Sequence, residues 1–300
     1  MARWLRLIVS LGLLALALTI AAPENVLALL RNLDLRWLAL AIAALSGQIL
    51  LSAWRWHITA RSLGLVLSRR FALREYGLSV AANTFLPGGV LGDLTRIARA
   101  RHLGLREVTA SVLIERLAGQ VVMSALALAA ILYWLGPWLG ALVILGTTAF
   151  IAALLRYLEM PRTYLIRVWI VSGRWRSQIM LTLAILALNL AGYWCAARAT
   201  GLALSPVAIM LLVPLTLTAM LLPVTINGWG LREGFAVTLW PLWGIDPAQA
   251  MVASVIFGLS CMGAALFGLG PMLLADRTDD AKAAPPPDQP GSESTHQHPY

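Results

Sequence analysis

Stretches of roughly 20 apolar residues, the length that crosses a bilayer as helix, recur along this 300-residue chain between short arginine-rich connectors. Only 12% of its residues are charged and 59% are hydrophobic, whereas about a quarter of a soluble domain is charged. Such a chain folds with lipid as its solvent, as an all-α polytopic membrane protein. The net charge of +9 sits in the connectors, as the positive-inside rule expects, so no nucleic-acid partner is implied. Lys282 is the only lysine. Arginine suits bidentate phosphate contact, although GC-rich coding would give the same bias.

Two stretches break the apolar pattern. The first is Asn83-Thr84-Phe85-Leu86-Pro87-Gly88-Gly89-Val90-Leu91-Gly92-Asp93-Leu94-Thr95-Arg96. The second is Leu222-Pro223-Val224-Thr225-Ile226-Asn227-Gly228-Trp229-Gly230-Leu231-Arg232-Glu233. Each ends a helix and carries ions, which lipid tolerates only where protein or a water-filled cavity covers the backbone.

Around them the chain reads in order. Met1 to Arg6 is a basic head and Leu7 to Ala22 is apolar. These fit a signal peptide or a first span, and a span is preferred in so hydrophobic a chain. A second span covers Trp37 to Trp56, with Trp54 and Trp56 as an aromatic belt, and Arg55, His57, Arg61, Arg69, Arg70 and Arg74 form a basic loop after it. Tyr76 to Leu86 is too short to cross, and basic residues flank the first special stretch on both sides. It is therefore expected to enter and leave on one face, as a re-entrant hairpin. A third span runs from Thr109 to Trp134, with Glu115 and Arg116 near its cytoplasmic end, and Gly136-Pro137 is a turn. Leu139 to Leu155 is a fourth span and Ile179 to Ala199 a fifth. A run interrupted by Pro214 leads into the second special stretch. Asp246-Pro247 caps a sixth span, about Ala248 to Leu274. From Ala275 the composition is that of a disordered tail.

Aligning Pro87 with Pro223 brings Leu86 onto Leu222, Gly92 onto Gly228 and Arg96 onto Arg232, an offset of 136 residues that also superposes the spans in order. The expected architecture is two repeats, 1–136 and 137–274, followed by a tail, 275–300. Each repeat has three spans and one hairpin. Three is odd, so the second repeat is inverted, as in secondary transporters. Six spans plus two hairpins follow, or about eight spans if the hairpin arms cross. Both termini are then cytoplasmic.

Proline and glycine at the tips free backbone amides, and half-helix N-termini favour an anion such as a phosphate. Arg96 and Arg232 add fixed charge. An ionisable residue at membrane depth costs about 2.5–3.5 kcal/mol on insertion scales and marks a functional site by default. Asp93, three residues before Arg96, pairs with it on one helix face. Glu233 is expected to find Arg116 or Arg96 on another element. The competing reading is an ion-pair network of Asp93, Arg96, Arg232 and Glu233 that locks the halves together. Cys195 and Cys261 read as buried hydrophobes. His57, His102, His296 and His298 show no metal spacing, and no metal, cofactor or nucleotide motif is present.

The pattern Asn83-x2-Leu86-Pro87-Gly88-x3-Gly92-Asp93-x2-Arg96, with Glu115-Arg116 and then Leu222-Pro223-x3-Asn227-Gly228-x-Gly230-x-Arg232-Glu233-Gly234, resembles the lysylphosphatidylglycerol synthase transmembrane-region family. Its members are flippase-like membrane proteins of bacteria and archaea, associated with moving amino-acylated or otherwise modified phospholipids between leaflets. The resemblance covers the chain to about Leu274 and implies a location in the bacterial cytoplasmic (inner) membrane. It implies a lipid translocase whose expected partners are membrane lipids, anionic or zwitterionic phospholipids, together with a lipid-modifying enzyme. The chain carries no soluble aminoacyltransferase domain, so synthesis of lysylphosphatidylglycerol is not expected of it. The candidate substrate-binding residues are Asn83, Gly88, Gly89, Gly92, Asp93, Arg96, Glu115 and Arg116, with Asn227, Gly228, Gly230, Arg232 and Glu233. The alternatives are a membrane lipid-modifying transferase, with Asp93 and Glu233 as its only evident bases, and a non-catalytic scaffold for a lipid-modifying enzyme.

Overall fold

The computed structural model describes residues 2–86, 90–157, 162–218, 220, 225 and 228–270. Among them every regular element is helical. In order these are α1 (Ala2–Ile20), α2 (Pro23–Arg31), α3 (Leu35–Ser62), α4 (Arg69–Phe85), α5 (Leu91–Ala100) and α6 (Leu105–Tyr157). Then come α7 (Arg162–Ile166), α8 (Trp175–Ala199), α9 (Pro206–Thr218), α10 (Leu231–Leu239) and α11 (Pro247–Gly268).

Four of these are long and apolar enough to cross a membrane: α3, the Leu105–Trp134 part of α6, α8 and α11. They correspond to four of the six expected spans. The first expected span departs from expectation. Ala22 takes a positive φ of 55° and Pro23 opens α2, so the chain bends by 91° there, and α1 with α2 would count only as one broken span. The fourth expected span, Leu139 to Leu155, is helical and continues α6 beyond Gly136. The expected turn at that glycine is a break in the helix, with φ 78° and ψ 173°. The caps follow the sequence. The Asp246 carboxylate accepts from the Ala248 and Gln249 amides at the start of α11. The Ser68 hydroxyl accepts from the Phe71 amide at the start of α4. The expected disordered tail lies outside the described residues, as do Pro87, Gly88, Gly89, Pro223 and Asn227.

Large apolar side chains are exposed on the surface, and a set of charged side chains lies buried beside an apolar core. Met180, Val171 and Phe267 each expose about 70% of their surface. Arg55, Glu75, Asp93, Arg96, Glu115, Arg232 and Glu233 are all buried. This distribution suits lipid outside and paired charge inside.

Helices α3 and α8 form the centre. Trp37 meets Trp194, Leu45 lies against Gly192, Arg55 reaches Thr182 and Thr59 reaches Gln178. The residue numbers rise on one helix as they fall on the other, so the pair is antiparallel. The 136-residue offset maps α3 onto α8 and α4 onto α9, and it carries α5 onto the start of α10 and the first part of α6 onto α11. The swapped contacts are also matched: α4 packs on α11, and α9 packs on α6.

A β-carbon at Gly192 would stand 2.8 Å from Leu45 Cγ, so this central crossing depends on a small residue. Gly192→Ala is expected to cost about 1–3 kcal/mol by overpacking. Combined with Leu45→Ala it should cost less than the two single changes added together. Unfolding of the purified protein in detergent measures this; simple additivity would contradict the crossing.

Candidate functional site

Helices α4 and α5 form an antiparallel hairpin whose contacts begin with side chains near its tip. The Gly92 amide donates to Asn83 Oδ1 at 2.7 Å, while Asn83 Nδ2 donates to Asp93 Oδ2 at 3.2 Å. A β-carbon at Gly92 would collide with the Ser79 carbonyl oxygen, so only glycine lets the arms approach this closely. The Ser79 hydroxyl donates to Asp93 Oδ1. At the open end Arg99 Nε meets Glu75 Oε2 at 2.7 Å.

Against this hairpin stands a cluster of buried charges. Arg96, 1% exposed, donates from Nη2 to Asp93 Oδ1 at 2.7 Å, the expected i,i+3 pair. Its guanidinium lies 4.6 Å from the Trp56 ring centroid and 4.7 Å from that of Tyr76. Two ring faces thus replace part of the hydration a cation loses on burial. Arg116 from α6 pairs with the other Asp93 oxygen. Glu115, also on α6, accepts from Arg55 Nη2 at 2.6 Å and from the Tyr76 hydroxyl at 3.3 Å, and lies 3.7 Å from Arg96. Arg55 Nη1 donates to Thr182 on α8 at 2.9 Å. Among the described residues three guanidiniums, Arg55, Arg96 and Arg116, therefore face two carboxylates, Asp93 and Glu115. Arg96 Nε and Nη1 and Arg55 Nε are buried without a hydrogen-bond partner among the described residues.

Arg55, Trp56, Tyr76 and Thr182 were not among the expected site residues. Arg55 reads from sequence as orientation charge in a loop, and Trp56 as belt. Both corrections have one cause: α3 continues to Ser62, which carries Arg55 and Trp56 into the protein interior, 3% and 0% exposed. Arg55 lies inside the expected second span, and an arginine there was the available signal.

The second special stretch forms a different cluster. Arg232 donates to Glu233 Oε1 from Nη2 at 2.5 Å and from Nε at 3.0 Å, and its Nε also reaches Ser254 Oγ on α11. Glu233 Oε2 accepts from the Gly230 amide at 2.7 Å. Gly230, with φ 86°, is the residue before α10, so Glu233 closes that helix's first turn in the way an N3 glutamate does. Trp229 and Phe257 flank the guanidinium. The expectation that Glu233 needs Arg116 or Arg96 is overturned. Adjacent residues diverge on a helix, but a long arginine side chain folds back to a glutamate held at the cap. Gly228 lies in the turn before α10, with φ 76°. Gly88, Gly89 and Asn227 belong to the undescribed residues, so the structure brings together Asn83, Gly92, Asp93, Arg96, Glu115 and Arg116 in one cluster, and Gly230, Arg232 and Glu233 in another.

Apolar spanning helices around buried, paired guanidiniums define a polytopic helical membrane protein with an internal ion cluster. The chain belongs to the lysylphosphatidylglycerol synthase TM region family, whose profile matches residues 3–262. The family relates the chain to membrane lipids. Comparison with curated proteins and with solved structures gave no match.

Removing one partner of a buried ion pair strands the other charge. Glu233→Ala is expected to destabilise the protein by about 3–5 kcal/mol, because Arg232 and the Gly230 amide both lose their acceptor. The paired change Arg232→Met with Glu233→Ala should recover most of that loss. Detergent unfolding midpoints of the three proteins test this, and a paired variant no better than the single one would refute it.

Proposed function

We propose that the protein is a lipid translocase that binds the phosphate of a phospholipid or modified lipid headgroup at the Arg55–Arg96–Arg116 cluster. The observation that carries this reading is Arg96. It is 1% exposed, two of its nitrogens lack hydrogen-bond partners among the described residues, and among those residues its cluster holds three guanidiniums and two carboxylates. A single phosphodiester anion supplies the missing charge and the acceptors those nitrogens lack.

The surroundings favour a lipid as the source of that anion. An apolar groove of about 310 Å³ runs between α6, α7 and α8, lined by Ile114, Leu117, Val121, Trp169 and Leu183. Thr182, which accepts from Arg55, lies on its wall. An acyl chain in the groove would leave its headgroup beside Arg55, with the chain still in apolar surroundings. No covalent step is needed.

The repeat supports a two-sided mechanism. Helices α3 and α8 correspond through the 136-residue offset and run antiparallel, which is the relation inverted repeats require. Helix α4, of 17 residues, and α5, of 10, are about 26 and 15 Å long at 1.5 Å per residue. Both fall short of the roughly 30 Å hydrocarbon core, and arginines stand at the outer end of each, so the hairpin is read as re-entrant. In this reading the first cluster is the substrate site, and the neutral Arg232–Glu233 pair is a lock.

In proteoliposomes carrying a fluorescent phospholipid, Arg96→Gln is expected to slow leaflet exchange by at least about tenfold, a loss of roughly 1.4 kcal/mol, with the gel-filtration profile kept. Arg96→Lys should restore part of the rate. Wild-type exchange in a folded Arg96→Gln protein would sink the assignment.

A further inference from the structure

A second basic site lies on the opposite side of α8 from the apolar groove. We infer that the cleft between the C-terminal turns of α3 and the first turns of α4 and α8 is a phosphate-anion site, separate from the Arg96 cluster. The cleft has a volume of about 500 Å³. Arg61, Arg69 and Arg174 line it, together with His57, Trp54 and Ser177.

Four observations converge on an anion. First, three guanidiniums come from three different segments: Arg61 from the end of α3, Arg69 from the first position of α4, and Arg174 from the residue before α8. Among the described residues no carboxylate lines the cleft or pairs with any of the three. Such a concentration of like charge in one concavity is costly unless an anion shares it. Second, Arg69 is already oriented. Its guanidinium carbon lies 4.6 Å from the centroid of the Trp54 ring, so less side-chain freedom is lost when it binds. Third, α4 and α8 begin at the cleft, and the N-terminal ends of helices of 17 and 25 residues add positive potential and free amides. Fourth, His57 is only 5% exposed, and its Nδ1 is buried with no hydrogen-bond partner. It lines the same cleft, and in the Nδ1–H tautomer the neutral ring is a hydrogen-bond donor.

The remaining wall favours the phosphate of a lipid over a free one. Ile58, Met180 and Leu181 complete the cleft, and Met180 is 71% exposed. A glycerophospholipid could place its phosphate among the arginines and its glycerol and first methylenes along this wall. The site is also one-sided. The 136-residue offset carries Trp54, His57, Arg61 and Arg69 onto Leu190, Tyr193, Ala197 and Ser205, none of which is cationic. The cleft therefore marks the basic face alone, where anionic headgroups are drawn to arginine.

The test uses the full chain, purified in an uncharged detergent, with ligand retention read by native mass spectrometry. The probes are dihexanoyl phosphatidylglycerol, uncharged dihexanoylglycerol and inorganic phosphate. Because the Arg96 cluster is also proposed to take phosphate, the titrations are run in wild type and in Arg96→Gln. In the Arg96→Gln background, where the cleft is the remaining phosphate site, Arg61→Gln with Arg174→Gln is expected to cut phosphatidylglycerol occupancy at limiting ligand by at least about tenfold, and in wild type it should remove one of two bound lipids. Arg61→Lys with Arg174→Lys should retain most of it, which separates lost charge from lost fold. Dihexanoylglycerol should not bind. If inorganic phosphate fails to displace the lipid, the source is a membrane headgroup; if it displaces the lipid at equal concentration, the same site serves a soluble phosphate. Unchanged lipid occupancy when the double glutamine change is made in Arg96→Gln, or equal retention of the uncharged diacylglycerol, would overturn the proposal. Neither result depends on whether the protein exchanges lipids.

Discussion

A guanidinium enclosed among helices in lipid has to be solvated by the protein, and Arg96 shows what that takes. Its charge is met by Asp93 one turn earlier, by Glu115 from α6, and by the faces of Trp56 and Tyr76 from α3 and α4. Four helices must therefore converge within the reach of one side chain. The approach of α4 to α5 is the tightest part of this arrangement. The Asn83 amide bridges the Gly92 backbone and the Asp93 carboxylate, so one side chain sets both the spacing of the hairpin and the orientation of the acid. The desolvation of a buried cation is several kcal/mol before pairing, comparable with the whole stability of a typical domain. The fold around this cluster is organised to offset that cost.

The second half meets the same demand with different residues. Arg96 and Arg232 align through the offset, and both lie against aromatic rings, Trp56 and Tyr76 in one case and Trp229 and Phe257 in the other. The carboxylates do not align. Position 93 corresponds to Trp229, and Glu233 corresponds to Ile97. In the first cluster the acid is shared among arginines from two helices. In the second a single acid serves its neighbour and caps its own helix. The shared scaffold thus holds an open, positively charged cluster on one side and a closed, neutral pair on the other.

Much of this was legible in the chain. The spans of α3, α6, α8 and α11 follow from run length, the Asp246-Pro247 start of α11 from cap chemistry, and the Asp93–Arg96 pair from its i,i+3 spacing. Family membership followed from the two motifs together. What sequence reading missed had local causes. Tryptophans next to a basic loop look like a membrane belt, so Trp56 and Arg55 were placed at the surface, whereas α3 runs six residues further and draws them inside. Gly230 and Glu233 stand at N-cap and N3 spacing, which already announced a carboxylate turned back on its own helix. Attention to the adjacent Arg232 as a charge in need of a distant partner hid that signal. The 91° bend after α1 depends on Ala22 adopting a positive φ, which no propensity predicts for alanine.

The excess of cation over anion in the first cluster has a consequence for any lipid that binds there. A site in which every guanidinium were saturated by carboxylates would have to break buried ion pairs to admit a phosphate, and each broken pair costs several kcal/mol. Arg96 avoids this exchange, because Nη2 holds Asp93 while Nε and Nη1 have no hydrogen-bond partner among the described residues. A headgroup can then be accepted without releasing the acid that keeps the hairpin closed. The same economy limits affinity, because Asp93 and Glu115 remain in place and repel the incoming anion. Binding that is favourable but shallow fits the proposed translocase, since a headgroup held too firmly would not leave on the other side. In the proposed translocase, the closed Arg232–Glu233 pair would hold the opposing half in register without competing for the substrate.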